Sequence, residues 1–170
     1  MATLPILVAP DPRLKLKAKP VEQVDETIRS LLDDMLETMY AAPGIGLAAP
    51  QVGVSQRMLV LDLAREGEPR TPMKVINPEI VWASDEDAEH NEGCLSVPEH
   101  YADVVRPAEV KVRYLDETGA RREVHASGLL STCLQHEMDH LDGILFVDHI
   151  SALRRNMILR KLTKARRSTD

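Results

Sequence analysis

Between Val24 and Met39 the apolar residues Ile28, Leu31, Leu32, Met35, Leu36 and Met39 recur at i, i+3, i+4, i+7, i+8 and i+11. That spacing lines one face of an α-helix. It predicts a helix over residues 25–41 with Asp25 as its N-cap and Pro43-Gly44 as its stop; the methionines in it read as core filling. A second helix is predicted over about residues 128–142, from Ser127 as N-cap to Gly143 just past its end. Here Leu130, Leu134, Met138 and Leu141 make one stripe, and Leu129, Cys133, His136 and His140 a neighbouring one. Both stripes call for burial.

The pattern between the helices changes to alternation. Met58 to Leu63, Glu109 to Asp116 and Arg122 to Ala126 read as strands, the last two joined by a turn at Glu117-Thr118-Gly119. Lys74 to Trp82 reads as two short strands broken at Asn77-Pro78, and Val104-Val105 as part of another. Ser84 to Glu89 reads as a solvated acidic loop and Trp82 as core or rim packing. Four prolines between residues 5 and 20 make the opening irregular, with at most one helical turn around Asp11 to Leu14. At the other end Ile150, Leu153 and Met157 begin an apolar face that fades into a basic extension. The expected fold is α+β: short, mostly antiparallel strands packed around a central helix that carries the histidines, with an N-terminal amphipathic helix and a C-terminal basic one.

Composition narrows the class. A chain of 170 residues, 44% hydrophobic and 28% charged, suits one domain over 1–170 and needs no staples to fold. It has no apolar run near the ~18 residues of a membrane span, and its start carries neither an export signal nor an Arg-rich presequence. A cytoplasmic monomer is expected. Two cysteines, Cys94 and Cys133, are no disulfide framework. The net charge of −6 is uneven: residues 151–170 hold seven basic residues and one acid, Asp170, leaving 14 basic against 26 acidic residues before them. Such a tail, ending in Lys164, Arg166 and Arg167, suits either contact with a polyanion or a solvated helix end.

The candidate chemistry centres on His136-Glu137-Met138-Asp139-His140, an H-E-x-x-H sequence. On a helix, residues four apart have Cβ atoms about 5–6 Å apart on one face, so both imidazoles can close on one cation while Glu137 serves as a base. A histidine pair on a buried helix also needs a partner to be tolerated there. Cys133 lies on the same face, but 133 to 140 spans about 10 Å of axial rise, a strained reach for one ion. Cys94, beside Gly93 between two strand-like regions, is the better third ligand, leaving an open position for water. Gly44 to Gly53 lacks the Lys-Ser/Thr of a phosphate loop; its small residues let backbone approach a ligand, and Gln51 either points an amide at it or caps a turn. Asp139 either holds a ligand histidine or faces solvent. His90, His100, His125 and His149 lack ligand spacing and read as surface or strand residues.

Gly44-Ile45-Gly46-Leu47-Ala48-Ala49-Pro50-Gln51, Glu92-Gly93-Cys94-Leu95-Ser96 and Gln135 to His140, in this order, resemble the three signature motifs of peptide deformylases, and the likeness covers essentially the whole chain. The resemblance implies removal of the formyl group from nascent formyl-methionyl polypeptides. It implies Cys94, His136 and His140 as metal ligands, Glu137 as general base and acid, and Gln51 with the Leu95 backbone N–H as oxyanion donors. Ile45, Leu129, Thr132 and Cys133 would form the methionine pocket, and Gly46 would offer backbone groups to the peptide. Ligand chemistry alone permits Zn²⁺, Fe²⁺, Co²⁺ or Ni²⁺; the resemblance implies Fe²⁺. It also implies that the basic C-terminal helix leans on the ribosome. An H-E-x-x-H metallopeptidase and a non-catalytic, ribosome-associated metal-binding module are the competing classes.

Overall fold

The chain follows its polar–apolar pattern closely at the helices expected near residues 25–41 and 128–142 and less closely elsewhere. A computed structural model describes residues 2–169. Met1 and Asp170, and the side chains of Arg167, Ser168 and Thr169, lie outside the described residues.

Helix α1 runs Glu26–Ala41, and the Asp25 carboxylate caps it by accepting from the Ile28 N–H at 3.1 Å. Helix α2 runs Gly128–Leu141. Ser127 stands at its N-cap position, but its side chain makes no capping bond. Its C-terminus closes as expected: Gly143 has a left-handed φ of 75°, and the Ile144 N–H reaches back to the Asp139 carbonyl. The predicted N-terminal turn is a 3-10 helix, Pro12–Lys15, capped by Asp11.

Among the described residues seven strands form two antiparallel sheets. Strands β1 (Gly46–Ala48), β2 (Met58–Leu61), β3 (Met73–Ala83), β6 (Val110–Leu115) and β7 (Arg121–Ala126) make a five-stranded sheet in the order β1-β2-β3-β6-β7. Strands β4 (Asp87–Cys94) and β5 (Val97–Pro107) form a separate hairpin. Every residue of β2 is buried because both faces of the sheet are covered. Leu59 and Leu61 pack with Leu134, Met138 and Leu141 of α2, whereas Met58 and Val60 pack with Leu32, Met35 and Met39 of α1. A third cluster joins Val97, Ala102 and Val104 of β5 to Phe146 and to α3 (Ala152–Thr169).

Four local expectations are corrected. Asn77-Pro78 does not split a strand pair: β3 continues through it by a register shift, with Asn77 at φ 51° and its side-chain amide bonded both ways to the Val21 backbone. The acidic segment 84–89 is a loop only in its first half, since β4 begins at Asp87. Cys94 is not in a loop; it ends β4, opposite Val97, across a two-residue turn. On α3 the docked residues are Ile158 and Leu162, while Leu153 and Met157 are 72% and 46% exposed. The apolar face read from Leu153 and Met157 is therefore the outer one, and the helix continues through the basic extension. Trp82 is a rim residue, 43% exposed, with its ring edge-on to His125.

Candidate metal centre

Three elements meet at one point. Helix α2 supplies His136, Glu137 and His140; the end of β4 supplies Cys94; the 3-10 turn Ala49–Val52, which follows β1, supplies Gln51. The ligand atoms of Cys94, His136 and His140 all lie within 4.8 Å of one another. The Cys94 Sγ is 3.4 Å from His140 Nε2, and the two imidazoles stand edge to face with centroids 5.1 Å apart. Cys133 is buried on the same helix and takes no part in the cluster. Burial pushes its thiol pKa well up, as expected of a small apolar filler rather than a thiolate.

Gly46 explains how β1 comes so near. A Cβ added there would collide with the Glu137 carboxylate, so glycine lets the strand pass against the helix with that carboxylate undisplaced. Gln51 is oriented at both ends of its amide. Its Oε1 accepts from the Ala48 N–H at 2.9 Å, and its Nε2 donates to Ser96 Oγ at 3.0 Å and to Cys94 Sγ at 3.5 Å.

A cavity of about 620 Å³ opens over these groups. Gln51, Cys94, Leu95, His136 and Glu137 line it, and so do Ile45, Gly46, Leu129, Thr132 and Cys133. Ile45 and Leu129 are 47% and 53% exposed because they form its mouth. The stripe carrying Leu129 is thus only partly buried, contrary to expectation. All the site residues singled out in the sequence face this cavity or, in the case of His140, lie buried beneath it in the cluster.

The electrostatics distinguish the two histidines. His136 Nδ1 donates to Glu92 Oε1 at 2.9 Å, which turns its Nε2 toward the cluster. Arg106 grips the same carboxylate with two bonds of 2.7 and 2.9 Å and reaches Asp139 at 2.8 Å; Glu92 and Arg106 are both nearly fully buried. Burial alone would raise the Glu92 pKa, but bonds from His136 and Arg106 and the guanidinium charge hold it at about 2. Burial opposes the charge on His136 too, yet Cys94, Glu92 and Glu137 raise its pKa well above the usual imidazole range. His140 is held neutral by burial and by the neighbouring cations, first His136. Its Nδ1 and the Glu137 Oε1 are buried without a hydrogen-bond partner among the described residues. Burial lifts the Glu137 pKa to about 7.

Asp139 holds neither His136 nor His140; it pairs with Arg106 and with His149 Nε2 at 2.8 Å. His149 is exposed, as its reading as a surface residue expects, and the pair with Asp139 is made at the surface. The group that holds a ligand histidine is Glu92, which sequence reasoning quoted within a motif without giving it a role. Its signal was its place two residues before Cys94, on the same face of a strand.

The donor set can be tested against a metal. One cysteine sulfur and two imidazoles whose ligand atoms converge, next to a buried carboxylate oxygen with no hydrogen bond, fit a single borderline-soft divalent ion. Comparison with known proteins agrees. Residues 3–156 match the family model described as polypeptide deformylase. The peptide deformylase of Phenylobacterium zucineum is 58% identical over 164 residues, 96% of this chain and 97% of that protein. That of Rhizorhabdus wittichii is 59% identical over 173 residues, covering 99% and 98%. The crystal structure of the Ehrlichia chaffeensis peptide deformylase superposes with a TM-score of 0.94 at 43% identity, covering 99% of both chains. A second structure of the enzyme from that organism, in complex with actinonin, gives 0.93 at 45% identity, covering 97% and 98%. With the family matched along nearly its whole length and its fold reproduced, the chain belongs to the peptide deformylases.

Proposed function

We propose that this enzyme removes the formyl group from the N-terminal formyl-methionine of newly made polypeptides, using Cys94, His136 and His140 to hold one divalent metal, with Fe²⁺ as the resident ion. The observation that carries the reading is the Glu137 carboxylate: buried, with no hydrogen bond to its Oε1, 3.8 Å from His140 Nε2 and lining the cavity beside Cys94 and His136. When bound, the ion supplies Lewis acidity, which polarises a carbonyl and acidifies water at neutral pH.

Glu137 accepts the proton of the attacking water at Oε1 and later returns it to the amine nitrogen as the formyl C–N bond breaks; formate and a free N-terminus are the products. An acid lifted to about 7 is matched to both halves of that task near neutral pH. The Gln51 amide and the Leu95 backbone N–H donate to the formyl oxygen as it gains charge. Ile45, Leu129, Thr132 and Cys133 receive the methionine side chain, and the Gly46 backbone, on an edge strand of the sheet, aligns the peptide.

The enzyme is proposed to work as a cytoplasmic monomer on chains leaving the ribosome, with exposed Arg154, Arg160 and Lys161 of α3 facing ribosomal phosphates. No helix among the described residues is long and apolar enough to cross a membrane.

The test uses anaerobically prepared, Fe²⁺-loaded protein with formyl-Met and acetyl-Met peptides, following release of free amine. Rapid release from the formyl peptide alone is expected, and a failure to release it overturns the assignment. Glu137→Gln should keep its metal while turnover falls ~10²–10⁴-fold; undiminished turnover would remove Glu137 from the mechanism. Truncation at about residue 153 should weaken ribosome co-sedimentation, and unchanged co-sedimentation would remove α3 from that role.

A further inference from the structure

Gln51 is a long side chain with three rotatable bonds, and an amide left loose in a cavity would lose freedom each time it met a substrate. In this structure it is not loose. Its Oε1 is fixed by the Ala48 N–H, which also decides which end of the amide is oxygen: reversed, Nε2 would face another donor. Nε2 then has two protons to place. One goes to Ser96 Oγ at 3.0 Å, a full-strength bond, and the other has only the long 3.5 Å contact with Cys94 Sγ.

Ser96 itself is completely buried and tied down on both sides of its backbone. Its N–H points at Cys94 Sγ at 3.4 Å, and its carbonyl accepts from the Ala9 N–H at 2.8 Å. The hydroxyl therefore projects from a fixed frame, and the same residue touches both the thiol and the amide. We infer that Ser96 is a positioning residue: its hydroxyl occupies one proton of Gln51 Nε2 so that the other stays directed to the space beside Cys94, where a substrate oxygen is received. The inference rests on the proposed role of Gln51 as an oxyanion donor. Its structural half, the hold on the amide, stands on the geometry alone.

Two measurements separate these halves. In metal-free, ¹⁵N-labelled protein the Gln51 side-chain amide, identified by its loss in Gln51→Ala, should show two well-separated proton signals with slow exchange; Ser96→Ala should bring them toward free-amide positions. Free-amide signals in the unmutated protein, or signals that Ser96→Ala does not move, would overturn the hold. In the loaded enzyme, Ser96→Ala should keep full metal content and KM while kcat falls roughly tenfold, the scale of one hydrogen bond. That is less than the ~10²–10³-fold expected from losing an oxyanion donor outright. In a Gln51→Ala background the same substitution should cost less than about twofold, since residues acting as one unit do not add. An equal cost in both backgrounds would show that Ser96 acts otherwise than through Gln51. Full turnover by Gln51→Ala would overturn the oxyanion reading and with it the catalytic effect of Ser96, while the amide signals still decide the hold.

Discussion

Helices α2 and α3 both carry ionisable side chains, and they treat them in opposite ways. From Ser131 to Leu141, α2 is buried at every position except Asp139, whereas the buried side chains of α3 among the described residues are only Ile158 and Leu162. A buried polar group must find a partner, so α2 can exist only with help from elsewhere in the chain. Gln135 donates to the Pro107 carbonyl, and His136 donates to Glu92, which Arg106 holds. Two atoms are left over, Glu137 Oε1 and His140 Nδ1. The contrast separates two kinds of buried polarity on one helix: groups matched by protein, which fix its position, and groups left unmatched beside the Cys94, His136 and His140 cluster. On α3 Arg154, Arg160 and Lys161 stay exposed, and Arg155 reaches Asp148 only at 3.8 Å.

The largest break in this comparison comes from removing a ligand. Cys94→Ala should lose the metal by elemental analysis and with it all measurable deformylation, while Cys133→Ala should keep the metal and lose at most about 1 kcal/mol of stability. Next is the support of α2. Arg106→Met strips the guanidinium from a buried carboxylate, leaving Glu92 with His136 alone and Asp139 with His149 alone, and a loss of about 3 kcal/mol is expected in denaturant unfolding of the metal-free protein; a shift under 1 kcal/mol would show that the guanidinium is dispensable.

The same network has a pH signature. Glu92 is held at about 2 in the folded chain, below its ordinary 4.5, so its contribution is fully present above pH 4.5 and is lost as pH falls toward 2. Glu92→Gln should flatten that part of the stability curve; an unchanged slope would remove Glu92 as its source. On α3 the effects should be smaller and one-sided. Ile158→Ala should cost about 2 kcal/mol, and Met157→Ala less than about 0.5 kcal/mol. Equal costs would mean that the helix docks by the face read from the sequence.

Much of this was legible before the fold was known, for a physical reason. Helix α1 and α2 have strong 3.6-residue periodicity, and side chains four apart on a helix are neighbours, so His136 and His140 could be paired by counting. Cys94 was found by excluding Cys133 on reach, and Gln51 by its isolation among small residues. The less legible features depend on register. Arg106 meets Glu92 only because β5 folds back on β4 with Glu92 opposite Ala102 and Arg106 opposite Ala88, a pairing that no local pattern encodes. Ser96 and Gln51 meet across 45 positions of chain. Asn77-Pro78 looked like a strand break because proline cannot donate to a ladder; a bulge with Asn77 at φ 51° absorbs it. On α3 the first apolar residues set the expected stripe, yet the helix docks by later ones.

Gly46 has a consequence that reaches beyond geometry. It carries no functional group, yet any other amino acid there would thrust a carbon into the Glu137 carboxylate. A side chain at position 46 therefore has to displace that carboxylate, and does so from a neighbouring strand. The one missing carbon at Gly46 thus sets where the Glu137 carboxylate rests, and a substitution there would be felt first on helix α2 rather than on its own strand.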